Sequence, residues 1–544
     1  MPHQLNFLAF DLGAESGRAM LGQFDGERLR LSEVHRFLNG PVRLPDGLHW
    51  DVLRLWTEVK HGLGLAVGER RADLAGVGLD TWGVDFGLLD RDGALIANPF
   101  HYRDSRTDGM LEEAFCRMPR AEIFEQTGIQ FMQLNSLYQL LAMVVGRSPA
   151  LDIAETFLTM PDLFNYWLAG RKCCEFSIAT TTQCYNPRLS PLPRREGPGE
   201  GGSDYRRASH PHPNPLPGRE REQAERSPLP LREGVGGGWA LPLLERLGIP
   251  TDIFPEIVPA ATVLGELLPP VADEVEVKSM PVIAPACHDT GSAVAAVPAA
   301  GADFVYISSG TWSLMGTELQ APVINEQSLA FNFTNEGGVG GTFRLLKNIT
   351  GLWLVQECRR TWARQGEELS YDELTQMAAR AAPLHSIVDP DDGEFLKPGD
   401  MPARIRVFCQ KTGQPVPEDR GALVRCALES LALKYRWVLE KLEIMQGRSL
   451  QTIHIVGGGS QNQLLCQLAA DATQRLVIAG PVEATAAGNI LMQAIARGHI
   501  ASLTEGREVV RRSFESATYE PGSAAGWDEA YAHFLAIREQ TPEV

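Results

Sequence analysis

Residues 5–25 run as an apolar segment (Leu5 to Phe10), a small-residue turn (Asp11 to Gly17) and a second apolar segment (Arg18 to Phe24). The same plan returns half a chain later. Phe304-Val-Tyr-Ile307 leads into Ser308-Ser-Gly-Thr-Trp-Ser313 and then Leu314-Met-Gly-Thr317. A chain that twice spells strand–turn–strand at this separation predicts two related α/β domains facing each other. A third junction of this kind follows at Thr452-Ile-His-Ile-Val456, a short buried strand. It enters Gly457-Gly458-Gly459-Ser460-Gln461-Asn462 and then the helical pattern of Leu464, Leu465, Leu468 and Ala469. Between 423 and 442 the apolar Leu428, Leu431, Tyr435, Val438 and Leu442 recur at spacings of three and four, which predicts a long helix packed on a core.

At 544 residues the chain exceeds what one core serves, so two large domains are expected. With 50 Lys+Arg against 68 Asp+Glu the net charge is −18, which repels polyanions and argues against nucleic acid as a partner. A compact anion such as ATP is not excluded, because local N–H groups and a metal ion outweigh a distant field. The opening Met-Pro-His-Gln-Leu-Asn carries no basic n-region, and no uncharged apolar run is long enough to cross a bilayer. Nine scattered cysteines without CxxC spacing point to a reducing cytosol and away from zinc. No membrane or protein partner is implied.

Residues 190–238 depart from this texture, with nine Pro and nine Gly in 49 positions. Ser190-Pro-Leu-Pro-Arg-Arg-Glu-Gly197 is echoed by Ser227-Pro-Leu-Pro-Leu-Arg-Glu-Gly234. So few large apolar groups do not offset ordering entropy, and the stretch reads as a disordered insertion.

Chemistry concentrates in the turns. In Asp11-Leu-Gly-Ala-Glu-Ser-Gly-Arg18 small residues let backbone N–H groups approach phosphate oxygens, with the Ser16 hydroxyl and the Arg18 charge beside them. Asp11 is suited to orient Mg²⁺ through water; the same turn also serves as an ordinary hairpin. Ser308-Ser-Gly-Thr311 offers hydroxyls and a glycine in the matching place of the other domain, and the 457–459 glycines offer bare backbone to an adenine or ribose. No Gly-Lys-Ser/Thr and no full GxGxxG after a strand is present, so P-loop and dinucleotide readings are unsupported. In Pro281-Val-Ile-Ala-Pro-Ala-Cys-His288-Asp289-Thr290-Gly-Ser-Ala an ionisable pair ends a small, apolar run. A carboxylate there is costly without a partner or a task. Asp289 reads as a general base, or as a helix N-cap, and the two roles do not exclude each other. Gly78-Leu-Asp80-Thr-Trp82-Gly83-Val-Asp85-Phe, His101-Tyr-Arg103-Asp104-Ser-Arg106, Lys347-Asn348 and Gln356 supply further polar groups suited to a sugar pocket or to structural duty.

Taken together these stretches resemble the FGGY carbohydrate kinases, and within that family the rhamnulokinase branch. The resemblance runs from about residue 5 to 500 apart from 190–238. It is carried most specifically by Asp80-Thr-Trp-Gly-Val-Asp85-Phe, His288-Asp-Thr290 and Ser308-Ser-Gly-Thr-Trp-Ser313. It implies an α/β fold of two actin-like ATPase (ribonuclease H-like) domains with a cleft between them. These are a sugar-binding domain over 1–298, an ATP-binding domain over 299–525 and a tail over 526–544. It implies ATP-dependent, Mg²⁺-assisted phosphorylation of L-rhamnulose to L-rhamnulose 1-phosphate in L-rhamnose catabolism. Another ketose such as L-fuculose, or a catalytically silent sugar or nucleotide sensor of the same fold, are the alternatives. By matching positions Asp289 is implied as proton acceptor, with Gly83, His288, Asp289, Thr290 and Asn348 on the sugar. Ala14, Glu15, Ser16, Gly17, Arg18, Thr311, Gln356 and Gly458 are implied on ATP. Glu15 departs from the Ser or Thr of many relatives and sets a carboxylate beside triphosphate.

Overall fold

The computed structural model describes residues 4–68, 72–189, 238–301 and 303–540. Its first sheet has six strands: β1 (Leu5–Leu12), β2 (Ser16–Phe24), β3 (Leu29–Leu38), β4 (Leu74–Thr81), β5 (Thr262–Glu266) and β6 (Pro281–Ala284), in the order β5-β6-β4-β1-β2-β3. The second has seven: β7 (Val305–Ser309), β8 (Trp312–Leu319), β9 (Thr334–Gly337), β10 (Phe343–Thr350), β11 (Thr452–Val456), β12 (Leu476–Ala479) and β13 (Ala517–Tyr519). Their order is β9-β10-β8-β7-β11-β12-β13.

The two sheets repeat one topology. In the first, β1 pairs antiparallel with β2, β2 with β3, and β1 runs parallel to β4, which runs parallel to β6. In the second, β7, β8 and β10 form the antiparallel set, while β11 and β12 extend β7 in parallel. The strand–turn–strand likeness in the sequence is therefore the central hairpin of each sheet. The turns are shorter than the sequence suggests, 13–15 and 310–311, because Asp11 continues β1 in register with Arg18 and Ser309 continues β7 opposite Ser313. Central strands covered on both faces need continuous apolar side chains, and Phe7 through Phe10 are fully buried.

Each lobe has its own core, and a third cluster joins them. Phe7, Ala9, Met20 and Phe24 of the first sheet meet Phe304, Tyr306 and Val456 of the second through the helices Asp289–Ala295 and Ala484–Ala496. These helices cross so closely that a Cβ on Gly488 would stand 1.7 Å from the Ser292 carbonyl oxygen. The helix Arg420–Gln446 buries Leu428, Leu431, Tyr435, Val438 and Leu442, as their spacing predicts.

Two boundaries differ from expectation. The tail expected over 526–544 is, as far as it is described, part of the second lobe: the helix Trp527–Gln540 inserts Trp527, Ala530, Tyr531, Phe534 and Ile537 into the second core. The apolar face of that helix stays dry there. The expected insertion 190–238 lies outside the described residues except for Gly238, which belongs to the fold. Its carbonyl accepts from Asn186 N at 2.6 Å, and Ala240 N donates to Cys184 O at 2.7 Å. Among the described residues no helix is long and apolar enough to cross a membrane.

Candidate active site

Parallel strands of both large sheets end at one crevice, the usual ligand position in an open α/β sheet. From the first lobe arrive the ends of β1, β4 and β6, tied by Trp82 N to Leu12 O (3.3 Å) and Thr81 N to Cys287 O (2.9 Å). From the second lobe arrive the ends of β7 and β11, where Gly457 N donates to Pro481 O at 3.1 Å. Between them lies a cavity of about 360 Å³.

Asp289 opens the helix Asp289–Ala295 and lines this cavity. The N-cap is His288, without a side-chain cap bond, so the N-cap role considered for Asp289 falls to the preceding residue. The Asp289 carboxylate accepts from Thr290 N (2.5 Å) and Thr290 Oγ1 (3.1 Å), and lies 3.4 Å from His288 Nε2. Burial pushes its pKa up, His288 pulls the other way, and the negative charge of Asp11 adds to the rise. The loop before it is pinned by buried Glu175, whose Oε2 accepts from Ser177 Oγ (2.5 Å) and Cys287 N (2.9 Å), while Ser177 Oγ accepts from His288 N (3.1 Å).

At one end of the cavity Gly83, His288 and Asn348 come together. A Cβ on Gly83 would stand 3.3 Å from Thr181 Oγ1 and 3.4 Å from His288 Nε2, so a side chain there would fill the space beside the imidazole. Asn348 reaches across from β10, its N–H donating to Gln130 Oε1 at 2.9 Å. Behind His288 stand Glu336 and Arg344, facing each other across β9 and β10. Glu336 is buried, which alone would raise its pKa, but the His288 ring and Arg344 outweigh that and hold it low.

At the other end lie Ala14 and Glu15 of the first turn, Ser16 and Arg18 at the start of β2, and Gly310 and Thr311 of the second turn, with Gln356 and Gly458. Gly457 and Gly459 let the third turn pack on Ser309: a Cβ on Gly459 would meet Ser309 Oγ at 2.0 Å, whereas one on Gly458 meets nothing within 4 Å. Gln356 Oε1 is buried with no hydrogen-bond partner, an acceptor left for something not of this chain.

Three of the residues expected on ATP have further partners within the chain. Gly17 does not line the cavity; it is buried, and a Cβ there would sit 2.3 Å from the Phe37 ring, so the glycine serves packing. Arg18 lines the cavity with its guanidinium already committed, to Asp11 at 2.5 Å and to Glu483 from the second lobe. Glu15 pairs with Arg360 of the second lobe, which accounts for a carboxylate in that turn. Of the polar clusters, Asp80 and Asp85 are buried outside the cavity lining. Asp85 accepts from Trp50 Nε1 (2.6 Å), Trp82 Nε1 (3.0 Å) and Gln139 Nε2 (2.9 Å), and burial lifts its pKa to about 6. Lys347 donates to the carbonyls of Phe331 and Asn332, at 3.2 Å each. Gln130, Thr181 and Glu336 line the cavity without having been singled out. A charged residue inside the apolar strand Phe343-Arg-Leu-Leu was the available signal for the Glu336–Arg344 pair.

Residues 6–189 match the N-terminal domain of the FGGY family of carbohydrate kinases, and residues 305–497 its C-terminal domain. The chain belongs to the FGGY carbohydrate kinases. A rhamnulokinase of Bacteroides thetaiotaomicron is 42% identical to this FGGY kinase over 529 residues, 97% of this chain and 98% of the relative. A rhamnulokinase of Oceanobacillus iheyensis is 36% identical over 512 residues, covering 94% and 97%. The fold matches a ligand-bound xylulose kinase from Lactobacillus acidophilus with a TM-score of 0.73 at 14% identity, over 98% of both chains.

Proposed function

We propose that this kinase transfers the γ-phosphoryl group of ATP to the 1-hydroxyl of L-rhamnulose, giving L-rhamnulose 1-phosphate in L-rhamnose catabolism, with Asp289 as proton acceptor. The observation that carries the reading is Asp289 itself, a carboxylate with a raised pKa in the cavity between small-residue turns from opposite lobes. The choice of sugar rests on the near-full-length relatives named rhamnulokinase.

Phosphoryl transfer asks a protein mainly for position and charge compensation. The backbone N–H groups and hydroxyls around Ala14–Ser16 and Gly310–Thr311 would hold the triphosphate, with Gly458 and Gln356 toward the nucleoside. Gly83, His288, Thr290 and Asn348 would hold the sugar. As the sugar oxygen bonds to phosphorus and the bond to the ADP oxygen breaks, Asp289 would take the hydroxyl proton. Neutralisation of a half-buried carboxylate whose pKa is raised favours that step. His288 Nε2, 3.4 Å from Asp289 Oδ1, lies within reach of the same hydroxyl.

Mg²⁺ fits this donor set. Among the described residues no group of three or more His, Cys, Asp or Glu is arranged to hold a metal. Magnesium keeps most of its water and needs only one or two carboxylates beside substrate phosphates. Asp11 lines the cavity with Oδ2 on Arg18 and would hold the ion through water. When bound, Mg²⁺ offsets the charge of the triphosphate. Nine unpaired thiols suit a reaction in a reducing cytosol.

The test is ADP release at fixed MgATP with a panel of ketoses. The expected outcome is the highest kcat/KM with L-rhamnulose. A preference for L-fuculose, or no sugar-dependent ADP, contradicts the reading.

A further inference from the structure

The imidazole beside Asp289 has two ring nitrogens, and the residues around Nδ1 decide which of them carries the proton. Arg344 is fully buried; its Nε donates to Gly337 O at 2.8 Å, and its Nη2 lies 3.1 Å from His288 Nδ1 in hydrogen-bonding geometry. A guanidinium has only donors and does not deprotonate in proteins. The contact therefore requires Nδ1 to accept, which leaves the ring proton on Nε2. The competing partner for Nδ1 is Glu336 Oε2. It lies 3.3 Å from Nδ1 and 3.3 Å from Arg344, close enough to act on both through its charge, but neither approach has hydrogen-bonding geometry. Its charge compensates the buried guanidinium without claiming a proton from the ring. The charged groups facing His288 are thus Asp289 on its own helix, Glu336 on β9 and Arg344 on β10. The Gly83 loop and Thr181 next to Nε2 add no charge.

We propose that Arg344 is a positioning residue that fixes His288 as the Nε2–H tautomer. His288 then presents a hydrogen-bond donor, not a second base, to the sugar oxygen beside Asp289. This rests on the kinase reading for its consequence. Asp289 alone accepts the proton, while His288 holds the same oxygen in line and stabilises the negative charge it gains. A tautomer with a bare Nε2 would instead compete with Asp289 for the proton and turn a lone pair on the sugar oxygen. Arg344 lies one residue inside β10, four positions before Asn348, so one strand sets both the imidazole and the amide at this end of the cavity.

The experiment is a long-range ¹H–¹⁵N correlation spectrum of full-length enzyme labelled with ¹⁵N-histidine, His288 being assigned by difference with His288→Gln. Wild-type enzyme without substrate is expected to show Nε2 protonated and Nδ1 bare. A protonated Nδ1 in the wild-type spectrum overturns the proposal, whatever sugar the enzyme prefers. Arg344→Met alone would leave Glu336 buried and uncompensated, so the working variant is Arg344→Met with Glu336→Gln. It is expected to move the proton toward Nδ1 and to lower kcat by ~10- to 10²-fold with KM for ATP unchanged, the scale of a roughly 1 Å misplacement. A folded double variant with the wild-type tautomer refutes the role of Arg344. Should it fail to fold, the wild-type spectrum decides alone. Loss of all sugar-dependent ADP release by wild-type enzyme would instead tell against the assigned substrate, since the tautomer is read without sugar.

Discussion

The three consecutive glycines at 457–459 do different work, and the difference can be measured. Gly459 faces Ser309 so closely that any Cβ displaces the hydroxyl, whereas Gly458 faces open cavity. Gly459→Ala is expected to lower the melting temperature, since overpacking typically costs about 1–3 kcal/mol. Gly458→Ala should melt like wild type but raise KM for ATP severalfold. Equal melting losses in both would remove Gly458 from the nucleotide surface. The sequence showed a glycine-rich turn but not which glycine did which, because that depends on Ser309, about 150 residues away and brought close only by the pairing of β7 with β11. The packing need for Gly17 was hidden for the same reason, its neighbour Phe37 coming from β3. Asp289 was legible because a carboxylate in a small-residue apolar run is conspicuous by itself. Glu336 and Glu175 were not, since each reaches the site through a residue distant in sequence, His288 for Glu336 and Cys287 for Glu175.

Elements were more legible than contacts. Strands β1, β2, β7 and β8 announce themselves by apolar runs around small-residue turns, and the helix Arg420–Gln446 by its spacing. Turn lengths were overestimated because Asp11 and Ser309 are polar, yet they lie within buried strands whose partners, Arg18 and Ser313, continue the ladders. Gly238, read with the insertion, takes part in the fold through its backbone alone, a carbonyl that accepts from Asn186. With the flanks bridged from Tyr185 to Trp239, replacing residues 190–237 by a short Gly-Ser linker is expected to leave melting temperature and turnover nearly unchanged. Loop closure itself changes by only ~1.7 kcal/mol between about 8 and about 55 residues. A variant that melts markedly lower, or loses turnover, would show that the segment contributes to the fold or the site.

At the scale of the molecule, the lobes are held together by the shared apolar seam and by a few polar clasps across the cleft. The Arg103 guanidinium stacks on Trp353 at 4.1 Å and on Trp312 at 5.3 Å, and donates to Leu396 O at 2.5 Å. Nearby, Lys397 pairs with Asp108 at 3.0 Å, both sides well exposed, so that pair contributes little. Arg103→Ala is therefore expected to favour the open arrangement, raising KM for sugar and the radius of gyration in small-angle scattering. Unchanged scattering and kinetics would show that the seam alone holds closure.

Sugar-dependent turnover of Asp289→Asn bears most directly on the account, because removing the acceptor leaves shape and hydrogen-bonding capacity nearly intact. In a coupled ADP-release assay with L-rhamnulose and saturating MgATP, kcat should fall at least ~10²-fold while calorimetry shows sugar and nucleotide still binding. A variant that turns over at near the wild-type rate would contradict the assignment of Asp289 as the base.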